Sequence, residues 1–451
     1  MLNKVTSANT LTSSLGASLP SGYIPAKSKA TAHSLATADR VVLSAQTTAK
    51  GQQPGVFRPA LQPNGVPYLP AYTYTSGNKV NIFYDSAEIE PQMEKLIGEA
   101  RESIKIDYFI FSGQEAMRLA EMIVAKAKAG VKVEIMFDPR VGSLPALMPG
   151  EKKVLDYLKQ NGIQVVLANY DALPPRIDQR ESTTARLIDH NKILVVDDRA
   201  AMIGGWNLAD SFEHFHDAMV RIDGPAVGDL VQQMSLDRYF AQHPDQAKAE
   251  AATPAVVRPD RTQTQAGLST VRVNSTGINR QNNQWAILES ISKAQKSVYV
   301  TQLELNDDSI IDALIVAKDR GVDVRVLLDP SDFADVVPLL KTGPKEWVDA
   351  EAVKRLLDAG VPVHYFKTTP QQDVVHAKMA VYDGNEVMLG SADWQTLELR
   401  NTSDTSVEVH GGPAPQRAQQ VFLDDWQQKS TPAAIPAFYK RILSRLYFAF
   451  S

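Results

Sequence analysis

Two segments of this chain carry a histidine and a lysine at the same spacing. The shared pattern, His-x-Lys-x4-Asp-x6-Gly-(Gly or Ser)-x-(Asn or Asp), occupies residues 190–207 and 376–393. Alternate residues of an extended strand share a face, so His190 and Lys192 are expected to point together, as are His376 and Lys378. A neutral imidazole attacks a phosphodiester without the repulsion that an anionic nucleophile meets, and a second, protonated imidazole supplies a proton to the departing alkoxide. The two histidines, one from each segment, would fill these two roles.

Other positions of the pattern suit binding of phosphate oxygens. Lys192 and Lys378, with the amide of Asn207, would hold the non-bridging oxygens as negative charge builds in the transition state. The predicted phosphate-binding set consists of Gly205, Asn207, Ser391 and Asp393. Asp393 brings a carboxylate where Asn207 brings an amide, which is unfavourable beside an anionic phosphate unless the carboxyl group is protonated or turned away.

The aspartates inside the pattern have a different expected role. Asp197 lies five positions after Lys192, on the opposite parity of a continuing strand, and would face away from a bound phosphate. The same holds for Asp383. Both are predicted to be structural carboxylates and not catalytic ones.

The similarity between the two halves extends beyond this pattern. Upstream, residues 103–111 match 297–305, and residues 129–139 match 320–330, each of the latter pair ending in Asp-Pro. Downstream, Asp217 follows His190 by 27 residues and Asp404 follows His376 by 28. One domain is therefore written twice, over residues 80–245 and 270–430, with a period too long for a solenoid.

This duplicated pattern resembles the phospholipase D superfamily, whose members carry two His-Lys-Asp motifs. Residues 204–207 and 222–225 are most similar to the bacterial cardiolipin synthase and phospholipase branch. The resemblance implies an α/β fold with two tandem phospholipase D-like α-β-α sandwich repeats, packed with pseudo-twofold symmetry. The periodicity agrees with alternating strands and helices: strand-like runs lie at 104–111, 131–137 and 163–167, and amphipathic helical runs at 115–129 and 152–160.

The resemblance also implies roles for individual residues. His190 would be the nucleophile and His376 the general acid, with a phosphohistidine intermediate that water hydrolyses or an alcohol captures. Asp217 and Asp404 would accept Nδ1–H of the catalytic histidines and leave Nε2 free to react. The implied substrate is a glycerophospholipid, and neither a metal nor a cofactor is implied. Asp393 departs from the family, which usually has Asn at that position.

Two other functions stay open. A nuclease of the same superfamily would normally present a basic surface, and the net charge of −5 disfavours nucleic acid as a partner. A catalytically inactive, membrane-binding member would keep the fold without the chemistry. His214, His216 and Asp217 look like a metal cluster on one strand, but with no cysteine and only two close histidines a zinc site is disfavoured.

The two tryptophans in the turns that close the motifs allow two interpretations. Trp206 and Trp394 either pack beneath the motif loops or form an apolar wall beside the phosphate, which would suit the glycerol of a lipid. The residue pattern alone favours neither.

The rest of the chain divides by composition. The expected organisation is a mostly disordered Ser/Thr/Ala/Pro-rich arm at 1–75, repeats at 76–245 and 269–430, a linker at 246–268 and an amphipathic C-terminal segment at 431–451. No run of 18 apolar residues predicts a membrane span, so a cytoplasmic or peripheral membrane location is expected. The polar leader is also typical of bacterial effectors that are exported without a cleaved signal peptide. Phospholipid substrate and peripheral membrane contact are the expected partners.

Overall fold

The computed structural model describes the greater part of both repeats. The described residues are 69–71, 73–138, 150–168, 188–243, 255–257, 268–277, 280–330, 348–369, 372, 374–396, 398–442 and 444. Most of the predicted arm and most of the predicted linker lie outside these residues. Two short pieces of them, Leu69–Ala71 (β1) and Ala255–Val257, form a parallel pair with each other.

The first repeat alternates strands with helices. Its elements in chain order are β2 (Thr75–Tyr84), α1 (Asp85–Glu99), β3 (Ser103–Tyr108), α2 (Gly113–Lys128), β4 (Lys132–Phe137), α3 (Glu151–Gln160), β5 (Val165–Leu167), β6 (Ile188–Asp189), β7 (Lys192–Val196), β8 (Ala200–Gly204), a 3-10 turn (Asp210–Phe212), β9 (Phe215–His216), β10 (Ala218–Asp223) and α4 (Val227–Gln242). These elements confirm the predicted runs at 104–111, 115–129, 131–137, 152–160 and 163–167, with ends that differ by a few residues.

The second repeat follows the same plan. After β11 (Ala255–Val257), its elements are β12 (Ser269–Gly277), β13 (Arg280–Gln281), α5 (Asn282–Lys293), β14 (Ser297–Gln302), α6 (Asp308–Asp319), β15 (Asp323–Leu328), α7 (Ala350–Asp358), β16 (Val363–Phe366), β17 (Val374–Val375), β18 (Lys378–Tyr382), β19 (Glu386–Gly390), α8 (Glu398–Asn401), β20 (Thr402–His410), α9 (Pro413–Gln428) and β21 (Ser430–Pro432).

Strand order shows that the two halves are copies. In the first repeat the order is β5-β4-β3-β7-β8-β10-β2, with β3, β4 and β5 parallel and the other neighbours antiparallel. In the second it is β16-β15-β14-β18-β19-β20-β12, with the same parallel trio at one end. The edge strands β2 and β12 pair antiparallel and join the two sheets. The predicted α/β fold with two tandem repeats is confirmed.

Each sheet is covered on both faces by apolar packing. One core cluster joins the first sheet to α1, α2 and α3, through residues such as Ile89, Leu119 and Leu158. An equivalent cluster joins the second sheet to α5, α6 and α7. A third, central cluster combines strands of both sheets with α4 and α9, for example Leu230 and Phe422. Because this central cluster draws on both repeats, burial of apolar surface holds them together and fixes their relative position.

Candidate active site

Each motif histidine lies next to a short strand that pairs with the opposite repeat. Strand β6, which ends one residue before His190, runs parallel to the start of β20, and His190 N donates to Ser403 O at 2.9 Å. Strand β17, which ends one residue before His376, runs parallel to β9, and His376 N donates to His216 O at 2.8 Å. Both histidines are therefore held at the junction between the repeats.

Across that junction, each histidine forms a hydrogen bond with the aspartate of the opposite repeat. His190 Nδ1 lies 3.0 Å from Oδ1 of Asp404, and His376 Nδ1 lies 2.6 Å from Oδ2 of Asp217. Each histidine is thus bonded to the aspartate of the other repeat and not to that of its own. A carboxylate at Nδ1 favours the tautomer with the proton on Nδ1, which leaves the Nε2 lone pair available to a phosphorus atom or a proton.

A lysine is buried beside each histidine, but the two lysines differ in their partners. Lys192 Nζ donates to His190 O at 2.6 Å and lies 5.0 Å from the ring centroid of Phe109. Lys378 Nζ donates to His376 O at 2.9 Å and lies 3.1 Å from Oδ2 of Asp393. Lys378 is therefore neutralised by a direct ion pair, whereas Lys192 contacts a backbone carbonyl and an aromatic ring.

Burial and charge shift the pKa values of these groups. Burial, reinforced by Lys192, lowers the pKa of His190 despite the opposing charge of Asp404. Burial and Lys378 lower the pKa of His376 to about 4. Burial lowers the pKa of Lys192 to about 7. Against the same burial, Asp393 raises the pKa of Lys378. At neutral pH the imidazoles of His190 and His376 are therefore neutral in the free protein, and Lys378 is protonated.

Ser391 and Gly205 occupy the same motif position and act on equivalent aspartates. Ser391 Oγ donates to Oδ1 of Asp404 at 2.6 Å, so Asp404 receives a hydroxyl hydrogen bond as well as the imidazole. At Gly205 a Cβ would stand 2.4 Å from Oδ1 of Asp217, so glycine makes room for that carboxylate. Both residues were predicted to bind phosphate, and their contacts in the structure are to the aspartates that orient the histidines.

Glu398, which the sequence did not single out, joins the acidic side of the site. Its Oε2 accepts from the backbone N of Asp393 at 2.6 Å and lies 3.7 Å from His190 Nδ1. Burial, with Asp393 and Asp404 nearby, raises the pKa of Glu398 well above its usual value. This shift favours the protonated form of the carboxyl group, which limits the negative charge around a bound phosphate. Glu398 lies in a stretch without a motif, so no sequence signal pointed to it.

Asn207 lies buried at the end of the first motif. Its side chain is 2% exposed, and Oδ1 has no hydrogen-bond partner within the described part of the chain. A phosphate oxygen accepts hydrogen bonds, so the predicted phosphate contact of Asn207 requires its amide Nδ2–H and not the unpartnered Oδ1. The phosphate contact of Asn207 therefore stays a prediction.

The motif aspartates bind backbone at the far end of their hairpins. Asp197 accepts from the N–H groups of residues 101–103 at 2.7–3.1 Å, and Asp383 accepts from those of 295–297 at 2.7–3.1 Å. Both residues have positive φ, 53° and 52°, in the left-handed region. Although burial opposes it, these N–H groups lower the pKa of both carboxyls. Their contacts fix the start of β3 and of β14.

A second pair of aspartates, missed at the sequence level, holds the strands that lead into the histidines. Asp138 Oδ2 accepts from Asp189 N at 2.8 Å, and Asp329 Oδ2 accepts from Val375 N. Each lies just past the end of β4 or β15, where the carboxyl ends of parallel strands meet the site. The signal was present, because both belong to the Asp-Pro pair that ends the repeated strand run.

The structure also separates the alternatives for the remaining candidates. Trp206 and Trp394 are buried in the outer core clusters of the first and second repeat, so they pack beneath the motifs and form no wall exposed to lipid. His214 is exposed, whereas His216 is buried between Asp85 and Asp425.

Among the residues that the structure describes, two groups of side chains have the spacing of metal ligands. One atom from each of His190, Glu398 and Asp404 lies within 4.8 Å of the others, and the same is true of Glu386, Glu408 and His410. In the first group, the nitrogen that faces the carboxylates is the Nδ1 that bonds to Asp404. In the second, Glu408 already accepts from Tyr74 Oη and Asn274 Nδ2, at 2.9 and 2.7 Å. Both groups are satisfied by protein hydrogen bonds.

Comparison with known proteins agrees with this geometry. The family model described as "Cardiolipin synthase, PLD-like domain" matches residues 93–243 and 287–426, more than half of the chain. A cardiolipin synthase of Clostridium perfringens (strain SM101 / Type A) is 23% identical over 386 residues, 83% of this chain and 76% of that protein. Cardiolipin synthase 1 of Staphylococcus aureus (strain COL) is 27% identical over 338 residues, 72% of this chain and 63% of that protein.

Among solved structures, a phosphatidylserine synthase of Haemophilus influenzae Rd KW20 superposes with a TM-score of 0.60 at 13% identity, covering 81% of this chain and 89% of that one. This likeness shows the fold. Together with the family match, it means that the chain belongs to the phospholipase D superfamily, in the family of cardiolipin synthase, phospholipase D-like domains.

Proposed function

We propose that the protein is a phospholipase D-like phosphatidyltransferase that acts on glycerophospholipids by hydrolysis or by transfer to an alcohol. The observation that carries the proposal is the crossed pairing of His190 with Asp404 and of His376 with Asp217, which turns two buried imidazoles into one site. A site of this kind suits a phosphodiester, because it offers one nucleophile, one proton donor and cations for the oxygens. The names of the similar synthases agree with a lipid substrate.

In the first half of the reaction, the phosphatidyl group moves to the protein. Nε2 of His190 attacks phosphorus, the bond from phosphorus to the headgroup oxygen breaks, and the headgroup oxygen takes a proton from Nε2 of His376. Because the pKa of His376 is about 4 in the free protein, this proton is acquired when the anionic phosphate binds and favours the imidazolium. The product is a phosphohistidine at His190, whose ring charge faces Asp404.

In the second half, an acceptor releases the phosphatidyl group. Water or an alcohol gives its proton to His376, its oxygen bonds to phosphorus, and the phosphorus–nitrogen bond to His190 breaks. His190 returns to the neutral form and His376 again carries the proton. Lys192, Lys378 and Asn207 would hold the non-bridging oxygens in both halves.

We propose that the C-terminal segment makes contact with the bilayer that holds the substrate. Residues 438–442 are helical, and Ile435, Phe438, Tyr439 and Ile442 are 60%, 69%, 57% and 42% exposed. Lys440 and Arg441 lie within the same turns, and Arg441 stacks over the Phe438 ring at 5.5 Å. Exposed aromatic and aliphatic groups with basic neighbours favour an anionic membrane interface. Within the described residues, no helix is both long and apolar enough to cross a membrane.

A lipid-conversion assay tests the proposal. The full-length protein is incubated with vesicles of phosphatidylglycerol, phosphatidylethanolamine and phosphatidylserine, with and without added glycerol, and the products are identified by mass spectrometry. We expect phosphatidate, or a new phosphatidyl ester of the added or lipid-borne alcohol, and no product with His190→Ala. Unchanged lipids together with cleavage of plasmid DNA would replace the lipid proposal by the nuclease one.

A further inference from the structure

His216 is buried between two carboxylates that are far apart in the sequence but adjacent in the structure. Its Nδ1 lies 2.7 Å from Oδ1 of Asp85, at the start of α1, and its Nε2 lies 2.9 Å from Oδ2 of Asp425, in α9. The side chain is only 4% exposed. One imidazole therefore connects the beginning of the first repeat with the last long helix of the second.

The two carboxylate contacts favour a charged ring. A neutral imidazole has one N–H, so one of its nitrogens would turn a lone pair toward a carboxylate, which is repulsive. Only the imidazolium donates to Asp85 and to Asp425 at the same time. The ring is also stacked between Tyr84, with centroids 6.0 Å apart, and Phe366, with centroids 5.3 Å apart, and aromatic faces favour a cation.

This cation is connected to the catalytic machinery by hydrogen bonds. The carbonyl of His216 accepts from the backbone N of His376 and of Ala377, at 2.8 and 3.2 Å. The next residue, Asp217, is fixed to Asp85 on both sides of its backbone: Asp217 N donates to Asp85 Oδ1 at 3.2 Å, and Asp85 N donates to Asp217 O at 3.1 Å. The carboxylate of Asp217 in turn orients His376.

Asp85 is held in an unfavourable conformation by these contacts. Its φ is 57°, in the left-handed region that residues with a Cβ rarely adopt. Such a conformation persists only where the surroundings fix it. Loss of the His216 contact would therefore release backbone strain next to Asp217.

The other charged and titratable groups around the ring lie on the same elements or pack against them. Asp425 also pairs with Lys429 at 3.2 Å, and Asp85 also accepts from Gln372 Nε2 at 2.7 Å. Near Tyr84, Arg417 lies 5.7 Å from the ring centroid and binds Glu88 at 2.7 Å. Arg417 has Glu88 as its own acidic partner, whereas Lys429 shares Asp425 with His216. Of these groups, His216 is the one that contacts both Asp85 and Asp425.

We propose that His216 is a positioning residue, a protonated imidazole that ties α1 and α9 to strand β9 and so sets the carboxylate of Asp217 toward His376. The assignment of His376 as a catalytic group rests on the proposed function, whereas the tie itself does not. The residue acts through Asp217 and touches neither substrate nor reacting atoms.

The proposal gives the tie a defined pH range. Burial alone would lower the pKa of His216, but the hydrogen bonds to Asp425 and Asp85 outweigh it and raise the pKa to about 9. A histidine whose pKa is higher in the folded state stabilises the fold fully below its unfolded pKa, about 6.5, and loses that contribution as pH rises through the folded value. The orientation of His376 should therefore weaken as the pH rises through about 9.

The decisive experiment follows the imidazoles by NMR in the full-length protein labelled with nitrogen-15 histidine, between pH 6 and 10. The His216 ring, assigned by its loss in His216→Gln, should be protonated at pH 7. The Nδ1–H proton of His376 that faces Asp217 should weaken or shift in the same pH step. Asp425→Asn should lower the pH of both changes by about 1 to 3 units, since it removes one carboxylate partner. Asp424→Asn, on the same helix but hydrogen-bonded to exposed Gln420 and not to His216, is the matched control.

The outcomes separate this inference from the proposed function. A neutral His216 ring at pH 7 overturns the inference. So does a His376 Nδ1–H signal that changes neither with the titration of His216 nor with the Asp425→Asn substitution. Neither readout needs turnover, so a protein that converts no lipid would contradict the proposed function while the NMR titration still decides the tie.

Discussion

Gly205 leaves the space that the carboxylate of Asp217 occupies, since a Cβ at position 205 would lie 2.4 Å from Asp217 Oδ1. The first prediction follows directly. Gly205→Ala should displace Asp217 from His376 and lower kcat by about 100-fold or more, the usual scale for losing a positioned acid–base group. Gly228→Ala, at an exposed helical glycine whose Cβ would meet nothing within 4 Å, should leave kcat unchanged. Equal activity of the two variants would show that Asp217 tolerates displacement.

The second prediction concerns the two histidines. His190→Ala and His376→Ala should each abolish turnover of a natural lipid while the thermal unfolding midpoint stays close to that of the parent. With phosphatidyl-p-nitrophenol, whose leaving group needs no proton, His376→Ala should accumulate a phosphatidyl adduct on His190, detectable by intact mass and lost in the double variant. Full activity of either single variant would exclude the paired-imidazole mechanism.

The third prediction is a pH dependence that originates at Lys192. Its pKa of about 7 means that its charge is present below pH 7 and lost as the pH rises through that value in the free protein. The ratio kcat/KM for a soluble short-chain phospholipid should therefore fall above pH 7. The fall in kcat should occur at higher pH, because a bound phosphate anion stabilises the charged amine. Lys192→Met should remove the fall near pH 7 at a lower overall rate; a kcat/KM that stays level from pH 6 to pH 8 in the parent protein would refute the assignment.

The fourth prediction tests the carboxylate that stands in the phosphate-binding set. Asp393→Asn removes the ion pair at 3.1 Å and leaves Lys378 to the substrate, so KM should fall by about tenfold, roughly the worth of one good charge contact. Glu398→Gln should change KM less than Asp393→Asn does, because burial raises the pKa of Glu398 well above its usual value and so favours the neutral form that glutamine mimics. Weaker substrate binding in Asp393→Asn would mean that the carboxylate contributes to the site in another way.

The fifth prediction concerns membrane contact. Replacing Phe438, Tyr439 and Ile442 together by alanine should weaken sedimentation with anionic vesicles by about tenfold or more, since three exposed apolar side chains are lost. Activity on a soluble short-chain substrate should not change. The control is Val316→Ala, which trims an apolar side chain that is 53% exposed in α6. If the triple variant instead precipitates or melts much earlier, these residues belong to the fold and the membrane proposal fails.

Much of the fold could be predicted because the signals were local. Residue periodicity located α2 and α3 of the first repeat, though not α1 or α4, and the duplicated motif indicated two copies of one domain. The partner of each histidine could not be predicted, because Asp217 and Asp404 hold equivalent places in their repeats and the sequence does not say which repeat supplies which contact. The pairing of β6 with β20 and of β17 with β9 places each histidine next to the aspartate of the opposite repeat.

Other site residues lacked a signal of the required kind. Glu398 lies on the short helix α8, which places its carboxyl group next to His190 and Asp393. No repeated residue spacing in the sequence predicts this contact. His216 carries a pattern that also fits a surface metal cluster, and only the burial of the ring between Asp85 and Asp425 distinguishes the two. Trp206 and Trp394 were ambiguous because aromatic residues serve equally in cores and in binding walls.

The crossed histidine–aspartate pairs have a consequence for the ancestry of this chain. A protein with a single repeat would offer a histidine without its carboxylate, and it could complete the site only by pairing with a second copy about a twofold axis. Joining the copies in one polypeptide replaces an encounter between molecules with a permanent neighbour at high effective concentration. Fusion also ends the obligation of both copies to be identical. Gly205 opposite Ser391 and Asn207 opposite Asp393 are positions where the two have since diverged, and this divergence gives one histidine an environment that the other lacks.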